Sequence, residues 1–151
     1  MIPTKDQLLN NFSSCINWEE KYLYIIDLSK LLPRFPEDLR TENHLITDCQ
    51  SQTWIALTQQ HLRCKNHSNI ISFHGDSDTL IIKGIIVIIF SIYQNLNTQS
   101  IIDFDARPFL DKLELNQNLT RSRSQGIYSM LNAIKNQANF LELKNIKPHN
   151  F

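Results

Sequence analysis

The sequence predicts an α+β fold in which a small three-stranded antiparallel sheet packs against several helices. Three observations carry this. Capping signals followed by apolar residues at helical spacing recur along both ends of the chain. Three short runs rich in β-branched and aromatic residues cluster between His44 and Phe73. A dense apolar run, Leu80 to Tyr93, follows them.

The first helix begins where Thr4 and Gln7 make a capping-box pair, with Leu8, Leu9 and Phe12 on one face. Asn17 and Glu20 repeat the pattern. Trp18, Tyr22, Ile25, Ile26 and Leu32 then recur at helical spacing until Pro33 stops the run, so a second helix is expected over Trp18 to Leu32. Pro33 to Glu42, rich in proline and charge, reads as an exposed connection.

The expected strands are His44 to Thr47, Thr53 to Gln59 and Asn69 to Phe73. In the middle one, Trp54, Ala56 and Thr58 alternate with Ile55, Leu57 and Gln59. Ser77 or Asp78 is expected to cap the run from Leu80, whose length selects a buried helix over a strand. Asn97 and Thr98 start a short helix, and Pro108 suits the first turn of another. Ser122 with Gln125 is expected to cap the last, which presents Ile127, Met130, Leu131, Ile134, Ala138 and Leu141 as one stripe. Lys144 to Phe151 is expected to fray.

The chain of 151 residues fits one domain, with a core over about residues 4–142. Lys plus Arg and Asp plus Glu balance at 15 each, which gives no field for nucleic acid or an anionic membrane. The N-terminus lacks a secretory pattern, and the Leu80 run falls short of the ~20 residues a membrane span needs. Three scattered cysteines, Cys15, Cys49 and Cys64, make no disulfide framework. A cytoplasmic protein is expected.

Cys49 lies in a polar stretch between the first two expected strands, a loop or strand end where a thiol is more accessible than on an apolar stripe. A small buried hydrophobe is the alternative reading of the same residue. His61, Cys64 and His67, with His74 as a fourth, have the ligand types of a zinc site. A solvated polar turn explains the same residues, and no metal is assigned.

Several stretches in register resemble the SufE family, which includes the closely related CsdE proteins. They are Asn17-Trp18-Glu19-Glu20-Lys21-Tyr22, Cys49-Gln50-Ser51-Gln52-Thr53-Trp54, Gly75-Asp76-Ser77-Asp78, Lys83-Gly84, Phe104-Asp105 before Arg107-Pro108, and Ser122-Arg123-Ser124-Gln125-Gly126. The resemblance runs from about Leu8 to Ala138. It implies a fold shared with IscU-type scaffolds and a sulfur-accepting cysteine at Cys49. It also implies a pyridoxal-phosphate cysteine desulfurase of the SufS or CsdA type as donor, and a SufBCD scaffold as recipient. The carrier would form a homodimer and hold no cofactor or metal of its own.

Asp76 and Arg123 fall where the family has a functional or interface-forming Asp and Arg. The bland readings are a turn residue and a surface charge in a first helical turn. Two positions depart from the family pattern, which has Gly before its cysteine and Asn upstream where this chain has Asp48 and His44. Asp48 tolerates a left-handed turn, but its charge disfavours a Cys49 thiolate unless a cation such as Arg123 offsets it. Persulfide chemistry needs one accessible thiol, and an apolar pocket lined by Leu45, Trp54 and the Leu80 helix would shelter its product. An iron–sulfur scaffold would need the three cysteines to converge. A cysteine hydrolase would need a histidine, His44 being nearest in sequence, within reach of Cys49.

Overall fold

The computed structural model describes residues 1–61 and 69–146. Helices α1 (Lys5–Ser13) and α2 (Trp18–Leu28) open the chain, followed by 3-10 turns at Ser29–Leu31, Glu37–Leu39 and Glu42–His44. Strands β1 (Thr53–His61) and β2 (Asn69–Ser77) form an antiparallel pair, with Thr53 opposite Ser77 and Leu57 opposite Phe73. Then come α3 (Leu80–Tyr93), α4 (Thr98–Asp103), α5 (Arg107–Lys112), α6 (Leu115–Asn118) and the long α7 (Arg121–Ile146).

The helix starts follow the capping chemistry. Thr4 and Gln7 exchange both bonds of a capping box. Asn17 accepts from the Glu20 amide, while the Glu20 carboxylate accepts from the Ile16 amide. Three expectations shift. Helix α2 gives way to a 3-10 turn at Ser29, ahead of Pro33. Thr79 is the N-cap of α3, without a side-chain cap, in place of Ser77 or Asp78. For α7 the hydroxyl that accepts is Thr120, from the Arg123 amide, in place of Ser122.

Helix α3 is apolar around most of its surface because, Leu80 and Lys83 apart, all of its residues are buried. Its residues Ile81, Ile82 and Ile85 through Ile89 are all buried, and α2, β2 and α1 pack around it. Its one glycine lets α2 come close, for a methyl on Gly84 would lie 2.0 Å from the Ile25 carbonyl oxygen. Gly75 on β2 likewise makes room for Ile86 and Phe90.

The sheet has two strands among the described residues, and the expected first strand is absent. His44 ends a 3-10 turn, and what remains of the pairing is an isolated bridge, Leu45 with Trp54, plus a bond from the Ile46 amide to the Thr53 carbonyl at 2.8 Å. The physical reason lies on α7. The Gln137 side chain donates to the Ile55 carbonyl and accepts from the Leu57 amide, both at 2.8 Å. One amide side chain thus mimics a residue of a neighbouring strand and satisfies the outer edge of β1 where a third strand would have continued.

Candidate functional site

Cys49 sits near the tip of a short loop that joins the Leu45 bridge to β1. The base of the loop is closed by the Ile46 to Thr53 bond and tied to β2 by the Asp78 amide, which donates to the Gln52 carbonyl at 3.1 Å. Asp48 makes the turn with φ of 60°, in the left-handed region that Asp tolerates better than most residues. Asp48 thus takes a backbone shape more often given to glycine.

The residue is partly exposed and packs against the core, with a helix and a hydroxyl beside its sulfur. Its wall is α7, where a methyl placed on Gly126 would lie 3.2 Å from Sγ and 3.7 Å from the cysteine Cβ. Only a glycine allows the sulfur to lie this close to the helix backbone. Its polar neighbour is the buried Thr53, whose Oγ1 is 3.4 Å from Sγ, 3.1 Å from the Ser51 carbonyl and 3.2 Å from the Ser77 hydroxyl. One wall beside the sulfur is thus α7, which the expectation of Leu45, Trp54 and α3 did not include. The Trp54 ring stands instead beside Phe35 and under the Arg40 guanidinium.

Arg123 is half-buried in the first turn of α7, three residues before Gly126, so its Cα lies on the same face one turn nearer the helix start. That end of the helix is its positive end, an environment favourable to a nearby anion. Asp76 is occupied elsewhere. It accepts from the Arg40 guanidinium at 3.0 Å and from the Ser77 amide at 2.9 Å, with Lys83 at 4.0 Å. Arg40 in turn covers the Phe35 and Trp54 rings, and its bonds to Glu37, the larger cause, and to Asp76 hold its pKa above the ordinary value. Asp76 therefore joins β2 to the segment before the loop.

His44 does not approach the sulfur. Its Nδ1 lies 2.7 Å from the Leu39 carbonyl and 3.3 Å from the Thr41 hydroxyl, and the hydrogen-bond partner of the Cys49 sulfur is Thr53. The base and orienting group of a cysteine hydrolase are therefore not assembled among the described residues. Cys15 bonds the Asn11 carbonyl at the end of α1. The candidate ligands His61, Cys64 and His67 lie outside the described residues as a set, His61 being described in its backbone alone. Among the described residues no three His, Cys, Asp or Glu converge on a metal-sized site. His74 bonds the Thr58 hydroxyl at 2.9 Å, and burial lowers its pKa.

Sequence reasoning missed Thr53, Gly126 as the wall, and Gln137. The spacing of Gly126 and Gln137 along one helix carries a signal only once β1 is known to lie against it. No helix of the described residues is long and apolar enough to cross a membrane.

Comparison with solved structures gives the same architecture. A hypothetical protein from Thermus thermophilus, whose solution structure is known, superposes with a TM-score of 0.65 at 16% identity, over 92% of this chain and 96% of that one. At that identity the likeness concerns the fold. Residues 6–138 match the family described as "SufE: Fe-S metabolism associated domain", which spans both the Cys49 loop and the α7 wall. The chain belongs to the SufE family, and with it to iron–sulfur metabolism.

Proposed function

We propose that this protein carries sulfur as a persulfide on Cys49, taking it from a pyridoxal-phosphate cysteine desulfurase of the SufS or CsdA type and passing it to a SufB-type scaffold. The observation that carries the proposal is the placement of Cys49 near the tip of a loop closed at its base. The sulfur rests against a glycine, and the residue is partly exposed. A side chain in that position swings outward by moving a few loop residues and leaves the packed core alone.

The chemistry balances without a cofactor on the carrier. A Cys49 thiolate attacks the outer sulfur of the donor's cysteine persulfide, the new S–S bond forms at Cys49, and the donor's own S–S bond breaks with its cysteine leaving as thiolate. In delivery an acceptor thiolate attacks the same outer sulfur and Cys49 leaves as thiolate. No net oxidant is consumed. Removing the donor's persulfide frees its cysteine for the next turnover, which is how such a carrier stimulates a desulfurase. Two copies of the chain as a homodimer, in the cytoplasm, complete the proposal.

The test is incubation with candidate desulfurases, pyridoxal phosphate and cysteine, followed by intact mass. A one-sulfur adduct on the wild type and none on Cys49→Ser supports the proposal. An adduct that persists on that variant moves the carrier elsewhere.

A further inference from the structure

The sulfur of Cys49 is one end of a chain of hydrogen-bonded hydroxyls whose direction is set by the Ser51 carbonyl. A carbonyl only accepts, so with the Thr53 proton on Ser51 the Thr53 oxygen can only accept from Ser77 and Cys49, while the Ser77 oxygen accepts from the Thr79 amide, 3.4 Å away. The Ser77 proton then has the Thr53 hydroxyl as its acceptor among the described residues, at 3.2 Å. The single Thr53 proton is left with two acceptors, the Ser51 carbonyl at 3.1 Å and the Cys49 sulfur at 3.4 Å. Thr53 is fully buried and Ser77 nearly so, which keeps water from competing for these protons.

We propose that the Thr53 hydroxyl is a two-position donor that turns from the Ser51 carbonyl to the Cys49 sulfur whenever that sulfur becomes a thiolate, with Ser77 positioning and polarising it. With the thiol protonated, the S–H donates to Thr53 Oγ1 and the Thr53 proton rests on Ser51. Loss of the thiol proton removes that donor and leaves a sulfur anion facing a hydroxyl that already accepts from Ser77. A short rotation about the Thr53 C–O bond then delivers a hydrogen bond to the anion. Cys49 is a thiolate twice in each cycle of the proposed function, as it attacks and as it departs, so one hydroxyl serves both steps. The inference thus rests on the carrier reading for its purpose, though not for its chemistry.

The charged groups nearest this loop along the chain and on the elements next to it are Asp48 on the loop itself, Arg121 and Arg123 in the first turn of α7, Asp76 at the end of β2, Asp78 just beyond it, and Lys83 on α3. All are left unchanged by the variants that follow.

The experiment follows the rate at which iodoacetamide alkylates Cys49 in the full chain, read on the Cys49 peptide by mass spectrometry from about pH 6 to about pH 10. Thr53→Val keeps the shape and removes the hydroxyl. Its rate profile is expected to shift upward by about one pH unit, the size of one lost hydrogen bond to an anion. Near pH 7 alkylation slows about threefold, because about tenfold less thiolate is partly offset by a more basic, more nucleophilic sulfur; above the titration it becomes about threefold faster. Ser77→Ala shifts the profile the same way by a smaller amount, and Thr53→Ser restores it.

A Thr53→Val profile that superposes on the wild type overturns the inference, as does a uniform change in rate at all pH, which reports access alone. Should Thr53→Val fail to fold, an unshifted Ser77→Ala profile overturns it. Alkylation needs no partner. A shifted profile with no sulfur adduct therefore refutes the carrier and leaves the hydroxyl, and an adduct with superposed profiles does the reverse.

Discussion

Replacing Gly126 by alanine tests how the sulfur is held. The added methyl would lie 3.2 Å from Sγ, about 0.5 Å inside ordinary contact. Its neighbour is the end of a loop side chain, which can retreat by that amount. Alanine also gains about 1 kcal/mol over glycine within a helix. The balance favours the variant, so its Tm is expected to rise by about 2–4 °C, the shift of ~1 kcal/mol in a domain of this size. The retreating sulfur forfeits a few contacts of about 0.1–0.2 kcal/mol each, which raises the swung-out population and the alkylation rate of Cys49 about twofold.

Gly84→Ala supplies the contrast. There the methyl would meet the Ile25 carbonyl at 2.0 Å, backbone against backbone, and α2 would have to move off α3. Overpacking of about 3 kcal/mol against the same ~1 kcal/mol helical gain leaves a net loss of about 2 kcal/mol, a Tm fall of about 4–8 °C. Thermal melts and alkylation kinetics check both. A Gly126→Ala variant that melts as low as Gly84→Ala, or whose Cys49 reacts no faster than wild type, would refute the idea that a yielding loop lies against a fixed helix.

Asp48→Asn keeps a residue tolerant of the left-handed turn and removes its charge; the Cys49 alkylation profile is expected to move to lower pH by about half a unit, and an unmoved profile would show that this carboxylate is screened from the sulfur. Burial lowers the His74 pKa in the fold below its ordinary 6.5, so the unfolded chain takes up the proton first. Stability from this group is present above pH 6.5 and is lost as the pH falls toward the depressed value; urea melts between about pH 7.5 and about pH 5 should show a slope no greater than ~1.4 kcal/mol per unit, flattened in His74→Gln. The buried Tyr93 hydroxyl finds no hydrogen-bond partner among the described residues, and burial pushes its pKa up to about 12. Tyr93→Phe is therefore expected to leave stability unchanged or raise it by up to about 1 kcal/mol in the same melts, and a loss above about 1 kcal/mol would reveal a partner for that hydroxyl.

Most of the helices were legible because their signals are local, whereas α6, a single turn without a side-chain cap, was not expected. Thr4, Gln7, Asn17 and Glu20 bond within their own first turns, and the stripe of α7 repeats at one period. The loop at Cys49 was legible for the same reason, since a polar stretch between apolar runs is a property of neighbouring residues. The third strand failed because strand existence is decided by what lies alongside. His44 to Thr47 has suitable composition, yet β1 finds the partners for Ile55 and Leu57 in a glutamine some eighty positions away. Thr53 was hidden similarly, as it reads as an ordinary strand residue until the fold brings Ser77 and Cys49 to its hydroxyl.

The Gln137 clamp also bears on which part of the molecule would yield in the sulfur transfer proposed above. Gly126 and Gln137 are eleven residues apart on one continuous helix, about 16 Å along its axis. That rod is fastened to the middle of β1 by Gln137 and to the core by the buried Ile127 and Met130, and the Cys49 loop leans on it at Gly126. The cheapest excursion is therefore a hinge within residues 47–52, with helix and sheet left in place. In hydrogen–deuterium exchange the Leu57 amide, though on the outer edge of the sheet, should stay protected while the loop amides trade freely. A docking partner would then meet a rigid anvil carrying one movable residue.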